Sequence, residues 1–165
     1  MNARGREQAA KVGRRLAELV PDVGALDFVA SPLGRTRDTM DILRGAAGLP
    51  PDGYRLDDGL KELTFGRWEG LTWREVRARE AAAATRREHD KWNFVPPEGE
   101  SYAMLAERVL PLARSLVRDT VVVSHGGVAR ALLAGIAAIP EHEAPRVEIW
   151  QGQVLVIEPG RYRWA

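Results

Sequence analysis

A histidine at a tight turn is the first residue whose surroundings suggest chemistry. His125 lies in residues 120–133 (TVVVSHGGVARALL), where strand-forming residues are followed at once by an apolar helical pattern. This pattern predicts a strand buried on both faces, a tight turn and a helix. The turn brings His125 to the carboxyl edge of a sheet, Gly126 and Gly127 allow close approach to the backbone, and the helix amino end favours an anion. A plain tight turn that contains a histidine is the alternative for this stretch alone.

An arginine follows a second strand pattern. Residues 26–30 (LDFVA) predict a short buried strand, and Arg35 comes just after it. If both strands lie parallel in one sheet, Arg35 and His125 emerge at the same edge, where a guanidinium and an imidazole form a phosphate or carboxylate site. The alternative is that Arg35 pairs with Asp38 or Asp41 on its own helix.

A glutamate in residues 60–70 (LKELTFGRWEG) is a candidate for proton transfer. Glu62 is flanked by leucines and followed by a phenylalanine, which would desolvate its carboxyl group in part. An exposed loop carboxylate is the alternative, and Glu69 and Glu75 compete with Glu62 for the role. Spacing alone does not choose among the three glutamates.

The remaining histidines and the lack of cysteine narrow the classes of site. His89 lies in a charged helix end and His142 in a loop, and neither belongs to a metal-ligand spacing such as HExxH. There is no cysteine, which excludes disulfides, zinc–thiolate sites and thiol catalysis. We therefore expect neither a metal nor a cofactor.

The length of 165 residues favours one small globular domain over residues 1–165. A net charge of +1 gives no basic field for nucleic acid. No apolar run approaches the roughly 18 residues that cross a bilayer, so no membrane partner is expected. With no signal peptide recognised, we expect a cytoplasmic protein. Whether it is a monomer or a homodimer is left open.

Helical patterns alternate with strand patterns along the chain. Helices are predicted from residue 3 to 20, in 31–48, over 72–87 with a capping box at Thr72, and over 101–117. Residues 146–150 and 154–158 predict two further strands. This alternation predicts a three-layer α/β/α sandwich around a mostly parallel sheet. Because the chain opens on a helix, the sheet is expected to lack a first strand.

Three stretches together resemble the histidine phosphatase superfamily, also called phosphoglycerate mutase-like. They are SPLGRTRDT from Ser31, ELTFGRWEG from Glu62 and VVVSHGGVARALL from Val121, and they occur in the family's order. The resemblance covers nearly the whole chain and implies phosphoryl transfer without a metal. It matches Arg35 to the second phosphate-binding arginine. It matches His125 to the second histidine and Glu62 to the acid that protonates the leaving oxygen.

The sequence departs from the family at the nucleophile. Family members begin with a strand ending in Arg-His-Gly, whose histidine carries the phosphoryl group, and no Arg-His-Gly occurs here. The stretch ARGREQA, from Ala3, resembles the helix that follows that strand. We expect an N-terminally truncated sequence. A degenerate member that binds phosphorylated ligands without turnover, and a strand supplied by a partner chain, are the alternatives.

The function predicted from the sequence is hydrolysis of a small phosphorylated metabolite, a phosphomonoester, through a phosphohistidine. The interval from Glu62 to His125 has no large added segment, which favours a phosphatase over a phosphoglycerate mutase. A non-catalytic phospholigand-binding module and an oligomer scaffold are the rivals from other classes. Residues 88–99 are expected to set specificity, and the aromatic loop at Trp92 and Phe94 forms either a lid or a satellite core.

Overall fold

The computed structural model describes residues 1–165, which form six α-helices and five β-strands. In chain order they are α1 (Ala3–Leu19), β1 (Asp27–Ala30), α2 (Gly34–Ala46), β2 (Arg55–Leu56), α3 (Trp73–Arg79), α4 (Ala81–His89), α5 (Tyr102–Ser115), β3 (Thr120–Val123), α6 (Gly126–Gly135), β4 (Leu155–Glu158) and β5 (Arg161–Trp164). The alternation of helices and strands follows the sequence prediction.

The strands form two separate sheets. β1 is the central strand of the first sheet, between β2 and β3, and both of its pairings are parallel. β4 and β5 form an antiparallel hairpin. The prediction of a mostly parallel sheet is confirmed. β3 is bonded only to β1 and β4 only to β5, so each has one edge without a strand partner.

The side chains of β1 alternate between two hydrophobic clusters. Phe28 and Ala30 pack with α1 and α2 on one face, whereas Val29 packs with α5 and α6 on the other. None of these three residues is more than 6% exposed. Because alternate residues of a strand point to opposite faces, helices cover both sides of the sheet. The predicted three-layer sandwich is therefore confirmed.

A glycine allows α1 to lie against α2. A Cβ added to Gly13 would lie 2.2 Å from the carbonyl oxygen of Leu43 and 2.9 Å from the Cβ of Ala46. On α1, Gly13 shares its buried face with Ala9 and Leu16, at the spacing that places residues on one side of a helix. The two backbones can approach this closely only because residue 13 has no side chain.

The helix predicted over 72–87 is two helices. Its capping box is confirmed, since the Thr72 side chain accepts from the Glu75 backbone and the Glu75 side chain accepts from that of Thr72. The helix breaks at Glu80, which ends α3 and precedes α4. Both helices contribute to a small cluster around Trp68, to which Val76 and Ala83 belong. The break lets both short helices reach this cluster, a tertiary requirement that local periodicity does not encode.

The prediction of a strand over 146–150 is wrong. The hairpin is formed by β4 and β5 around Pro159 and Gly160, and Gly160 has a φ of 77°. A Pro-Gly pair is a strong turn signal. Trp150 instead stacks on Trp164 of β5, with ring centroids 5.4 Å apart.

β3 is half-buried rather than buried on both faces, contrary to the sequence expectation. All four of its residues, Thr120–Val123, retain partial exposure. The physical reason is that β1 covers only one edge of β3, so its continuous apolar pattern is not fully enclosed.

Replacing Gly13 with alanine is expected to destabilise the protein. Overpacking costs about 1–3 kcal/mol, which exceeds the gain of roughly 0.5–1 kcal/mol from replacing a helical glycine. Urea unfolding followed by circular dichroism measures the difference. Gly45→Ala on α2 is the matched control, because nothing lies within 4 Å of its added Cβ, and it should be neutral or stabilising. Equal stabilisation by both variants would contradict the close contact of α1 with α2.

Candidate functional site

Two loops meet at the carboxyl edge of the parallel sheet. An Nη2 atom of Arg35 lies 3.1 Å from Nδ1 of His125, and Nε2 of the same ring lies 2.9 Å from the Oγ of Ser31. Ser31 follows β1 directly, and its backbone N–H donates to the Val123 carbonyl of β3. The two stretches predicted to converge are therefore brought together, with Ser31 as a contact that sequence reasoning missed.

The partners of the His125 ring define its hydrogen-bonding state. Arginine can only donate, so Nδ1 must accept, and the neutral ring then carries its proton on Nε2 and donates to Ser31. Burial and, secondarily, the charge of Arg35 lower the pKa of His125 from 6.5 to about 4. The imidazole is accordingly neutral at pH 7.

Glu62 lies against the amino end of α6. Its two carboxylate oxygens accept from the Gly127 N–H at 3.1 and 3.2 Å, and one also accepts from the Leu63 N–H at 3.0 Å. A Cβ on Gly127 would lie 2.3 Å from Glu62 Oε1, so the contact requires glycine there. Gly126, the first residue of α6, lies beside Arg130, whose Nη1 would be 3.1 Å from an added Cβ. The helix end and the carboxylate are thus in direct contact.

An arginine on α5 holds the loop that carries Glu62. Arg108 donates to the Gly59 carbonyl at 2.6 Å and to the Lys61 carbonyl at 3.1 and 3.2 Å. It also forms a two-pronged ion pair with Glu100 at 3.0 and 2.8 Å. Bidentate pairs of this kind fix geometry as well as charge. Arg108 is a positioning residue that the sequence reasoning did not identify.

Neither of the alternative partners considered for Arg35 is paired with it. Asp38 makes no ion pair with Arg35, and Asp41 accepts from the Tyr54 hydroxyl at 2.7 Å. The surface pairing of Arg35 with its own helix is therefore absent. Its guanidinium instead faces the ring of His125.

The competing glutamates and histidines lie away from this edge contact. Glu69 accepts from the Thr64 hydroxyl, and Glu75 belongs to the capping box. His89 is exposed at the end of α4, and His142 is exposed and lies 3.5 Å from Glu143. Of the three glutamates, Glu62 is the one that contacts the turn carrying His125.

Further cations surround a buried tyrosine beside the site. Burial raises the pKa of Tyr102, an effect that the charges of Arg130 and Arg87 oppose and that of Glu62 reinforces. Arg87 is 9% exposed, and its guanidinium lies 4.4 Å from the Trp73 ring centroid. Burial lowers the pKa of Arg87. These groups gave no sequence signal, because their proximity depends on how α4, α5 and α6 pack.

The aromatic loop packs into the core. Trp92 is 5% exposed, belongs to the largest core cluster and stacks on Tyr102. Phe94 stacks on the buried Trp68 of the small cluster, with ring centroids 5.5 Å apart. Of the two alternatives left open by the sequence, a core position is the one observed, and Phe94 alone lies at the satellite cluster.

No group of three or more histidine, aspartate or glutamate side chains is arranged to hold a metal ion. None of the helices combines the length and apolar character needed to cross a bilayer.

Known proteins are similar to this chain in sequence and in fold. The chain is 35% identical over 153 residues to a glucosyl-3-phosphoglycerate phosphatase of Mycolicibacterium vanbaalenii, covering 86% of this chain and 64% of that protein. The native structure of a mycobacterial glucosyl-3-phosphoglycerate phosphatase matches with a TM-score of 0.79 and 26% identity, over 99% of this chain and 84% of that one. The same enzyme in complex with inorganic phosphate matches with a TM-score of 0.76 and 28% identity, over 100% and 85%.

These structures have the phosphoglycerate mutase-like fold, so the fold predicted from the sequence is confirmed. The chain spans less than two thirds of the length of the Mycolicibacterium relative. A family model, the histidine phosphatase superfamily (branch 1), matches residues 1–165. The chain therefore belongs to the histidine phosphatase superfamily.

Proposed function

We propose that these residues form most of the active site of a phosphomonoester hydrolase whose substrate is a small phosphorylated metabolite. The observation that carries the proposal is the approach of Arg35 Nη2 to within 3.1 Å of His125 Nδ1 at the sheet edge. A guanidinium and an imidazole that lie this close at one edge are suited to hold one tetrahedral oxyanion between them. A structurally similar mycobacterial phosphatase has been solved in complex with inorganic phosphate, which supports an oxyanion as the ligand class.

An oxyanion would change the hydrogen bonding at this edge. Nδ1 of the neutral His125 ring accepts from Arg35, and a proton on Nδ1 would instead face the N–H groups of Arg35. A phosphoryl oxygen between the two side chains accepts from both, so the ring can then carry a proton on each nitrogen. Arg35 and His125 thereby compensate the charge of the phosphoryl group, which is the main requirement of phosphoryl transfer.

Glu62 is the carboxyl group that would serve the leaving oxygen. In the proposed reaction, a nucleophilic histidine nitrogen bonds to phosphorus as the ester P–O bond breaks, and Glu62 gives its proton to the departing alcohol. Water then attacks the phosphohistidine, Glu62 takes a proton from it, and inorganic phosphate leaves. The contact with Gly127 and the loop held by Arg108 keep this carboxyl at the edge of the sheet.

The nucleophile of this reaction is proposed to lie outside the three histidines of the sequence. Both ring nitrogens of His125 are engaged, one by Arg35 and one by Ser31. His89 and His142 are exposed and are not part of the site. His125 is accordingly assigned to binding the transferring group.

The divided sheet offers a position for a strand that carries the nucleophile. β3 and β4 each have an edge without a strand partner. Val122 of β3 and Ile157 of β4 both pack against the same core cluster. An added strand would pair backbone groups that are otherwise left without a strand partner, and its carboxyl end would lie beside His125.

The 165-residue chain is expected to release no phosphate from p-nitrophenyl phosphate, because it lacks the proposed nucleophile. A chain extended by a strand ending in Arg-His-Gly should hydrolyse the ester. Glu62→Gln in that extended chain should lower kcat by about 10²–10⁴-fold. Phosphate release measured on protein of verified mass checks all three outcomes.

His142→Ala is the control for this experiment, since His142 is exposed and outside the site. Turnover by the 165-residue chain that His125→Ala abolishes would make His125 the nucleophile and overturn the assignment. Binding of phosphate without turnover by the extended chain would instead favour a non-catalytic phospholigand-binding module.

Vanadate and inorganic phosphate are expected to raise the thermal stability of the 165-residue chain. At about 100 times its Kd, a ligand adds about 2.7 kcal/mol to the free energy of unfolding, a Tm shift of several degrees. Arg35→Ala should remove most of this shift, whereas Arg37→Ala on the same helix should retain it. Scanning calorimetry with and without ligand measures the effect. An undiminished shift in Arg35→Ala would remove Arg35 from the site.

Histidine NMR should report a pKa near 4 for His125 in the free protein, rising when phosphate binds. Arg35→Ala should raise it only in part, because burial is the larger cause of the low value. Between pH 6.5 and 4 the His125 imidazole is protonated in the unfolded chain but stays neutral in the native protein. The free energy of unfolding therefore falls as the pH is lowered through this range. An unperturbed titration of His125 near pH 6.5 would contradict the described geometry.

A further inference from the structure

A second concave surface lies at the amino end of β1, at the opposite end of that strand from the candidate active site. It is a cleft of about 360 Å³ whose apolar wall includes Leu26, Phe28 and Leu49. β1 advances about 3.3 Å per residue, so its two ends are roughly 10 Å apart. The volume is at the lower end of the range for small-molecule sites, which limits an occupant to a compact molecule.

A buried arginine lines this cleft. Arg44 is 6% exposed, and its guanidinium carbon lies 4.3 Å from the centroid of the Phe28 ring. Its Nε donates to the Pro50 carbonyl at 2.8 Å, and no other hydrogen bond of the side chain is present. Its remaining N–H groups have no protein acceptor and are accessible to solvent, so they are free to donate to an anion in the cleft.

Two carboxylates at the cleft are bonded to other groups. Asp27, which lines the cleft, forms a two-pronged pair with Arg118, and Asp41 accepts from the Tyr54 hydroxyl. Arg55, which also lines the cleft, lies 3.7 Å from Asp57. Arg44 is therefore the buried cation of this region without a carboxylate partner.

We propose that this cleft is a second anion-binding site, which takes a small organic oxyanion. Its carboxylate or phosphate head binds the free N–H groups of Arg44, and its apolar body lies against the wall formed by Leu26 and Leu49. The site is separate from that at Arg35, because the two arginines are nine residues apart on α2, roughly 14 Å along the helix axis. This inference does not depend on the proposed phosphatase activity.

Backbone NMR titration with benzoate and with phenyl phosphate tests the proposal. The variant Arg35→Ala provides the background, so that phenyl phosphate does not report on the candidate active site. Saturable shifts are expected for the amides of residues 26–28, 44 and 53–55 with at least one probe. A response to benzoate alone assigns a carboxylate head, and a response to phenyl phosphate alone assigns a phosphate head. Either response supports the site.

Removing the charge should weaken binding. Arg44→Gln is expected to raise the Kd at least about tenfold, as loss of a charge-assisted hydrogen bond does. Arg15→Gln, on the exposed side of α1, is the matched control and should leave the Kd unchanged.

A second variant keeps the charge and fills the space. A Cβ on Gly53 would lie 2.3 Å from Arg44 Nη2, so Gly53→Val should displace the guanidinium and abolish the shifts without removing the cation. Gly53→Val tests the proposed anion site even if Arg44→Gln does not fold. Absence of shifts with both probes overturns the proposal. So does the same Kd in the Arg35→Ala background with and without a folded Arg44→Gln or Gly53→Val substitution.

Discussion

The parallel pairing of β1 with β3 is the constraint on which the site depends. The register sets Ala30 opposite Val123, so the residues that follow each strand leave the sheet at the same edge. Ser31 reaches the ring of His125 from one strand end, and Arg35 reaches it from the helix that follows. A shift of one residue would point the alternating side chains of β1 at the wrong helical layers. Core packing and site geometry are therefore fixed by the same pairing.

The charges at this edge explain why the site is suited to an anion. Burial and Arg35 together disfavour the imidazolium form of His125, and Arg87 and Arg130 add positive charge around Tyr102. Partial burial of charged groups costs stability. In the proposed function, a bound oxyanion would offset that cost at Arg35 and His125. Preorganised donors of this kind need little rearrangement when the ligand arrives.

Local sequence patterns were sufficient to predict that His125 and Arg35 lie at the same edge of the sheet, because each follows a strand signal that can be recognised within a few residues. Long-range contacts decided what the sequence left open. Glu62 is distinguished from the competing glutamates by its contact with Gly127, 65 residues later in the chain. The break at Glu80 likewise depends on packing around a distant tryptophan, and no glycine or proline marks it. The prediction of a strand over 146–150 did not fail for want of a local signal. The Pro-Gly turn between β4 and β5 was visible in the sequence, and the hairpin was predicted one strand too early.

Helix α2 connects the candidate active site with the proposed second anion-binding site. Arg35 is in its first turn and Arg44 in its last turn, so the position of this helix along its axis governs both guanidinium groups. That position is set where α1 approaches the Leu43 carbonyl, a contact possible only because Gly13 has no side chain. Since packed helices shift as rigid elements, a displacement at this contact would be transmitted to both ends of α2. The close approach of α1 to α2 therefore helps to position the candidate active site.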